Sequence, residues 1–158
     1  MHLTRRSPRA RAATLDVEAL DALLPGWDHA DAYAVGAAPV DAPTAAAALF
    51  EVTARGRAVL GLRDLLVRPF GLEPALGARE EVFPVLSRSA DRVVLGLDDR
   101  HLDFRILVDV RDGEVRCTSV IRRRPLGRAY FAVVGPFHRR IVPAMLERAA
   151  RRGWTTGG

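Results

Sequence analysis

Lysine, asparagine and glutamine are missing altogether from the 158 residues, and cysteine occurs once. All 24 basic residues are therefore arginine. Without lysine there is no Schiff base and no Walker-type phosphate loop. Without asparagine or glutamine the usual adenine readers are gone. Aromatic residues make up only 6% of the chain, which leaves few platforms for stacking bases. Specific nucleic-acid binding is not expected. One cysteine excludes an intrachain disulfide and a multi-cysteine zinc site. No apolar run approaches the roughly 20 residues of a spanning helix. Asp16, Glu18 and Asp21 interrupt the apolar segment that would follow the basic start of an export signal. A cytoplasmic protein with no membrane span is expected.

What is present is one domain's length of chain, rich in alanine and arginine, with a net charge of +5. The charge is unevenly placed. Arg5, Arg6, Arg9 and Arg11 lie in residues 1–13 without an acid, and acids prevail through the middle. Residues 122–158 hold nine arginines against Glu147 alone. Such a quarter attracts anionic partners or forms a solvated helix face. The layout predicts a flexible arm over 1–13, one domain over 14–152 and a loose tail over 153–158.

Helical spacing covers residues 14–24, with Thr14 as cap and Pro25-Gly26 as stop. A first strand is expected over 31–35, around Tyr33 and Val35. Two short helices follow, over 44–53 and 58–68. The period then changes from 3.6 to 2. Strands are expected over 81–87, 92–98, 102–111 and 114–124. In the third of these, Leu102, Phe104, Ile106, Val108 and Val110 share one face, and charges plus Leu107 share the other. Asp112-Gly113 reads as a tight hairpin turn. Val115, Cys117, Ser119 and Ile121 continue the apolar face. Residues 126–152 return to helical spacing, with Leu126, Tyr130, Val133, Val134, Phe137, Ile141, Ala144 and Met145 in the inward stripe and Arg128 and Arg139 opposite. Pro136 and Pro143 predict a bend or break.

An antiparallel meander of about five strands with one apolar face needs a cover, and the C-terminal helix is the only element long enough. This α+β layout is that of the helix-grip fold. Three segments carry a resemblance. They are Leu62-Arg63-Asp64-Leu65-Leu66-Val67 with Phe70-Gly71-Leu72; the run from Val94 to Arg105; and Gly127-Arg128-Ala129-Tyr130-Phe131 leading into Pro136-Phe137-His138-Arg139. Together they resemble an uncharacterised bacterial family of small proteins, similar also to segments behind the nucleotide-binding domain of short-chain-dehydrogenase-like proteins. That family resembles the START-like (SRPBCC) superfamily. The resemblance implies a hydrophobic ligand between sheet and helix, or a dehydrogenase-like protein partner. It implies no cofactor and no catalytic residues.

A twisted sheet gripping a helix leaves an apolar gap. The residues expected to line it are Phe104, Ile106, Cys117, Ser119, Tyr130, Val134 and Phe137, with Arg63 within reach of a ligand carboxylate. Tyr130 and Ser119 are the candidate polar anchors, though Tyr130 reads first as a core tyrosine whose hydroxyl bonds Ser119, Thr118 or a ligand polar group. His138 is either a base at the rim or a helix residue bonded to a carboxylate. Asp98, Asp99, His101 and Asp103 have metal-ligand chemistry, but strand geometry splits them, so no metal is expected. Three functions remain: a non-catalytic module for a small apolar or amphipathic molecule, an interaction module docking through the basic C-terminal surface, and a cyclase- or hydratase-like enzyme using the same pocket.

Overall fold

A computed structural model describes residues 7–51, 83–98 and 102–156. The expected second helix over 58–68, Arg63, Asp99 and His101 lie outside the described residues. The described order is β1 (Arg11–Ala12), α1 (Val17–Leu23), β2 (His29–Gly36), α2 (Ala42–Phe50), β3 (Val85–Arg88), β4 (Arg92–Asp98), β5 (Leu102–Arg111), β6 (Glu114–Arg123) and α3 (Pro125–Arg151). The strands form one antiparallel six-stranded sheet in the order β1-β2-β6-β5-β4-β3.

The period-2 pattern fixes the two faces. The register pairs Leu95 with Ile106, Val108 with Cys117 and Tyr33 with Cys117. Val35, Val93, Leu95, Ile106, Val108, Val115 and Cys117 thereby form one apolar surface, which packs against α2 and α3. The turn between β5 and β6 uses Asp112 at φ 55 and Gly113 at φ 73. This is the left-handed pair that matches the twist of a two-residue hairpin. The opposite face carries Val120 beneath Leu20 and Leu24 of α1. It also carries Asp103, fully buried, whose Oδ2 accepts from Arg122 Nε at 2.9 Å and Nη2 at 2.7 Å. Arg122 also donates to the Pro25 carbonyl, tying the end of α1 to the sheet.

Local capping differs from the sequence reading by a few residues. Asp16, not Thr14, caps α1, its side chain accepting from Ala19 N–H. Asp41, not Thr44, caps α2, and Ala42-Pro43 fill its first turn. A carboxylate one extended residue before the helix reaches the free N–H groups directly. The sheet also has a sixth strand. Arg11 and Ala12, expected in a loose arm, pair with Ala34 and Tyr33. Arg11 bridges to Glu114 at 2.7 Å, and Ala10 N–H donates to Glu147.

α3 runs unbroken through Pro136 and Pro143. Proline removes one helical hydrogen bond and frees the carbonyl four residues back. Here those carbonyls belong to Ala132 and Arg139, both exposed, so water can satisfy them. The helix closes with Gly153 N–H on the Ala150 carbonyl and Trp154 N–H on the Ala149 carbonyl. With Gly153 at φ 66, this is the Schellman arrangement. It folds Trp154 back into the core, so the expected loose tail begins after it.

The helix is rotated relative to the expected stripe. Phe131, Val142, Leu146 and Ala149 are buried, with Gly127 and Gly135 in line. Val133 and Phe137, expected inward, are 47% and 55% exposed, and Ala144 is exposed too. Counting only apolar residues misses that small and polar ones can hold the seam. Gly127 and Gly135 are buried, the Phe131 ring lies over Gly135, and His138 hydrogen-bonds to Asp31 and Ser119 of the strands.

Candidate functional site

Four polar side chains meet on the sheet face under the N-terminal half of α3. His29 and Asp31 come from β2, two residues apart and so on one face. Ser119 of β6 stands opposite Asp31 in the register. His138 comes down from α3. Its Nε2 lies 3.1 Å from Ser119 Oγ and 3.3 Å from Asp31 Oδ1. His29 Nε2 lies 3.6 Å from Asp31 Oδ2, too far for a hydrogen bond but close enough for attraction. Both His29 Nε2 and Asp31 Oδ2 are buried without a hydrogen-bond partner. The His29 ring rests on Phe131, with centroids 4.6 Å apart.

The electrostatics follow from this placement. Burial acts to raise the Asp31 pKa, but the hydrogen bond and charge of His138, with the attraction of His29, outweigh it and hold the carboxyl below its ordinary value. Beside it, burial pushes the Cys117 thiol up to about 12, and the Asp31 and Asp109 charges push the same way. This cysteine is an inert part of the core.

The arrangement orients groups without relaying a proton between them. In a serine-hydrolase relay the carboxylate holds Nδ1 and leaves Nε2 to the serine. Here one nitrogen, Nε2, faces both Asp31 and Ser119. Nor do the donors surround one point: the two Asp31 oxygens face different imidazoles. No group of three among the described residues is arranged to hold a metal ion. Asp98 and Asp103, the described members of the other acidic run, are engaged by Arg105 and Arg122.

The expected lining residues divide into three groups. Ile106, Cys117 and Ser119 are buried on the sheet face. Phe104, Tyr130 and Val134 are half-buried at the same end of the seam, and Phe104 meets Phe83 edge-on at 5.0 Å. Tyr130 packs with Leu102, Ile121 and Phe131. Phe137 lies on the solvent side and does not join them. Ser119 Oγ lies within hydrogen-bond distance of His138 Nε2. Asp31 and His29 were missed as site residues. The signal was present, since Asp31 shares the strand face of Tyr33 and Val35.

At the other end the seam is closed. Val142, Leu146 and Ala149 pack with Ala45, Ala46 and Leu49 of α2, and Arg148 donates to the Leu49 and Glu51 carbonyls. A cavity of about 40 Å³ lies on the opposite sheet face, between α1 and Leu107, Asp109, Arg116 and Thr118. An open groove runs past Pro43, Thr44, Arg88 and Trp154. Neither touches the N-terminal half of α3.

The sequence matches one family over residues 23–145, from the end of α1 into the last turns of α3. The match spans well over half of the chain, including the whole polar cluster. The chain belongs to this family. Its description is "Protein of unknown function (DUF2867)", so membership brings no activity with it. No curated protein matches the chain, and no solved structure does. Among the described residues, no helix of this family member is long and apolar enough to cross a membrane.

Proposed function

We propose that this protein is a START-like, helix-grip module that holds a small apolar or amphipathic molecule, without chemistry, between the sheet and the N-terminal half of α3. The observation that carries the reading is the contrast along one seam. Toward the C-terminal end of α3 the side chains are buried against α2. Toward its N-terminal end Phe104, Tyr130 and Val134 stay half-buried beside two buried polar atoms without a hydrogen bond, His29 Nε2 and Asp31 Oδ2, 3.6 Å apart. Unpartnered buried polar atoms are rare in finished cores. A guest supplies what is missing: its apolar body lies on Phe104, Ile106 and Val134, at about 25 cal/mol per Å² removed from water. Its polar end lies toward His29, Asp31 and Tyr130. The shared use of Nε2 favours binding over turnover.

Native mass spectrometry of freshly purified protein tests this. A reproducible extra mass that leaves on denaturation is expected. Only the bare chain mass, across several expression hosts, contradicts it. The second reading, a module for a protein partner such as a dehydrogenase-like one, is favoured by the exposed apolar residues of α3.

A further inference from the structure

The solvent face of α3 is as patterned as its buried face. Ala129, Ala132, Val133, Pro136, Phe137 and Ala144 are all exposed. At 3.6 residues per turn these positions fall in one stripe, opposite Phe131. From Ala129 to Ala144 the stripe is ~22 Å long at 1.5 Å per residue. Arg128 and Arg139 border it on one side, and Arg140 lies in line near its C-terminal end. All three are exposed, and none is ion-paired among the described residues. The nearest acid on the helix, Glu147, is already taken by the Ala10 N–H and by Arg151. Among the described residues, nothing on this face neutralises it.

We propose that this face of α3 docks an acidic amphipathic helix of a partner protein. Two large apolar side chains, Val133 and Phe137, stand between small ones, Ala129, Ala132 and Ala144. Small residues let a second helix axis come close while the large ones enter its grooves. Three arginines without an ion pair among the described residues call for carboxylates flanking the partner's apolar face, and they steer its approach. A second copy of this chain brings the same positive face and is repelled. A membrane surface gains little, because alanine and proline insert little apolar area and stable attachment needs more. The stripe is smaller than a standard interface, so the contact is transient. The proposal stands apart from the ligand reading, which uses the other face of the helix.

The test uses the full chain and three probes. The first is a labelled peptide of roughly 20 residues, ~30 Å of helix, with leucine on one face and glutamate elsewhere. The second is the same peptide with lysine for glutamate, and the third is vesicles of phosphatidylglycerol and phosphatidylcholine. Fluorescence anisotropy is expected to show saturable binding of the glutamate peptide, at least about tenfold tighter than the lysine peptide. Phe137→Ser is expected to weaken it about tenfold, and Arg128→Ser to weaken it and flatten its salt dependence. Both side chains are exposed, so both variants should melt as wild type does. Equal binding in Phe137→Ser reduces the face to a general polyanion surface and overturns the proposal. So does equal binding of the lysine peptide, preference for the vesicles, or self-association of the chain in place of peptide binding.

Discussion

Asp31 shows how one half-buried carboxylate links stability to the site. Its folded pKa is lowered, so the native state binds its proton less readily than the unfolded chain does. The stability it contributes is therefore complete above the unfolded carboxylate range, about pH 4, and is lost as pH falls through the lower folded value. The melting temperature of wild type is expected to exceed that of Asp31→Asn near neutrality, and the gap to close as pH falls below that range. A gap that widens in acid contradicts the account. Cys117 gives a second check. A thiol buried in the core, with its pKa near 12, should resist Ellman's reagent at about pH 8 in the native protein and react fully once unfolded. Rapid reaction of the folded chain would place it on an open surface. At this scale the sequence showed the inward face of β5 and β6 residue by residue, because strict alternation admits one register. The strand's own pattern does not reveal His29 and Asp31 as a cluster, because the His138 that meets Asp31 lies on a helix far along the chain.

The elements carry a different lesson. β4 and β5 fall at their expected limits, and the Asp112-Gly113 turn is where turn chemistry puts it. Pairing of Arg11–Ala12 with β2 escaped the pattern, since two residues have no period. The rotation of α3 escaped it for a physical reason. Large apolar side chains occur all round the helix, with Val133 and Phe137 exposed and Phe131, Val142 and Leu146 buried, so they do not define one face. His138, a polar residue that hydrogen-bonds to Asp31 and Ser119 of the sheet, faces the strands where Phe137 does not. Truncation measures that rotation. Leu146→Ala, at a fully buried position, is expected to cost about 2–5 kcal/mol in denaturant unfolding. Val133→Ala, at an exposed one, is expected to stay within ~0.5 kcal/mol. Equal losses, or the reverse order, would return the helix to the stripe read from apolar residues alone.

For the molecule as a whole, the α+β layers, the antiparallel sheet and the covering C-terminal helix were legible from length and periodicity, because a one-sided sheet has few ways to hide its apolar face. How the two ends of the seam differ was not legible. That depends on α2 sealing one end of the seam through Ala45, Ala46 and Leu49. It depends also on four polar groups from three elements meeting at the other. The most direct test of the proposed guest is a titration with the neutral probe N-phenyl-1-naphthylamine, using wild type and Val134→Trp side by side. The account predicts saturable one-to-one binding to wild type, weakened about tenfold or more in the variant at unchanged melting temperature. No saturable binding, or the same affinity in both proteins, would contradict it.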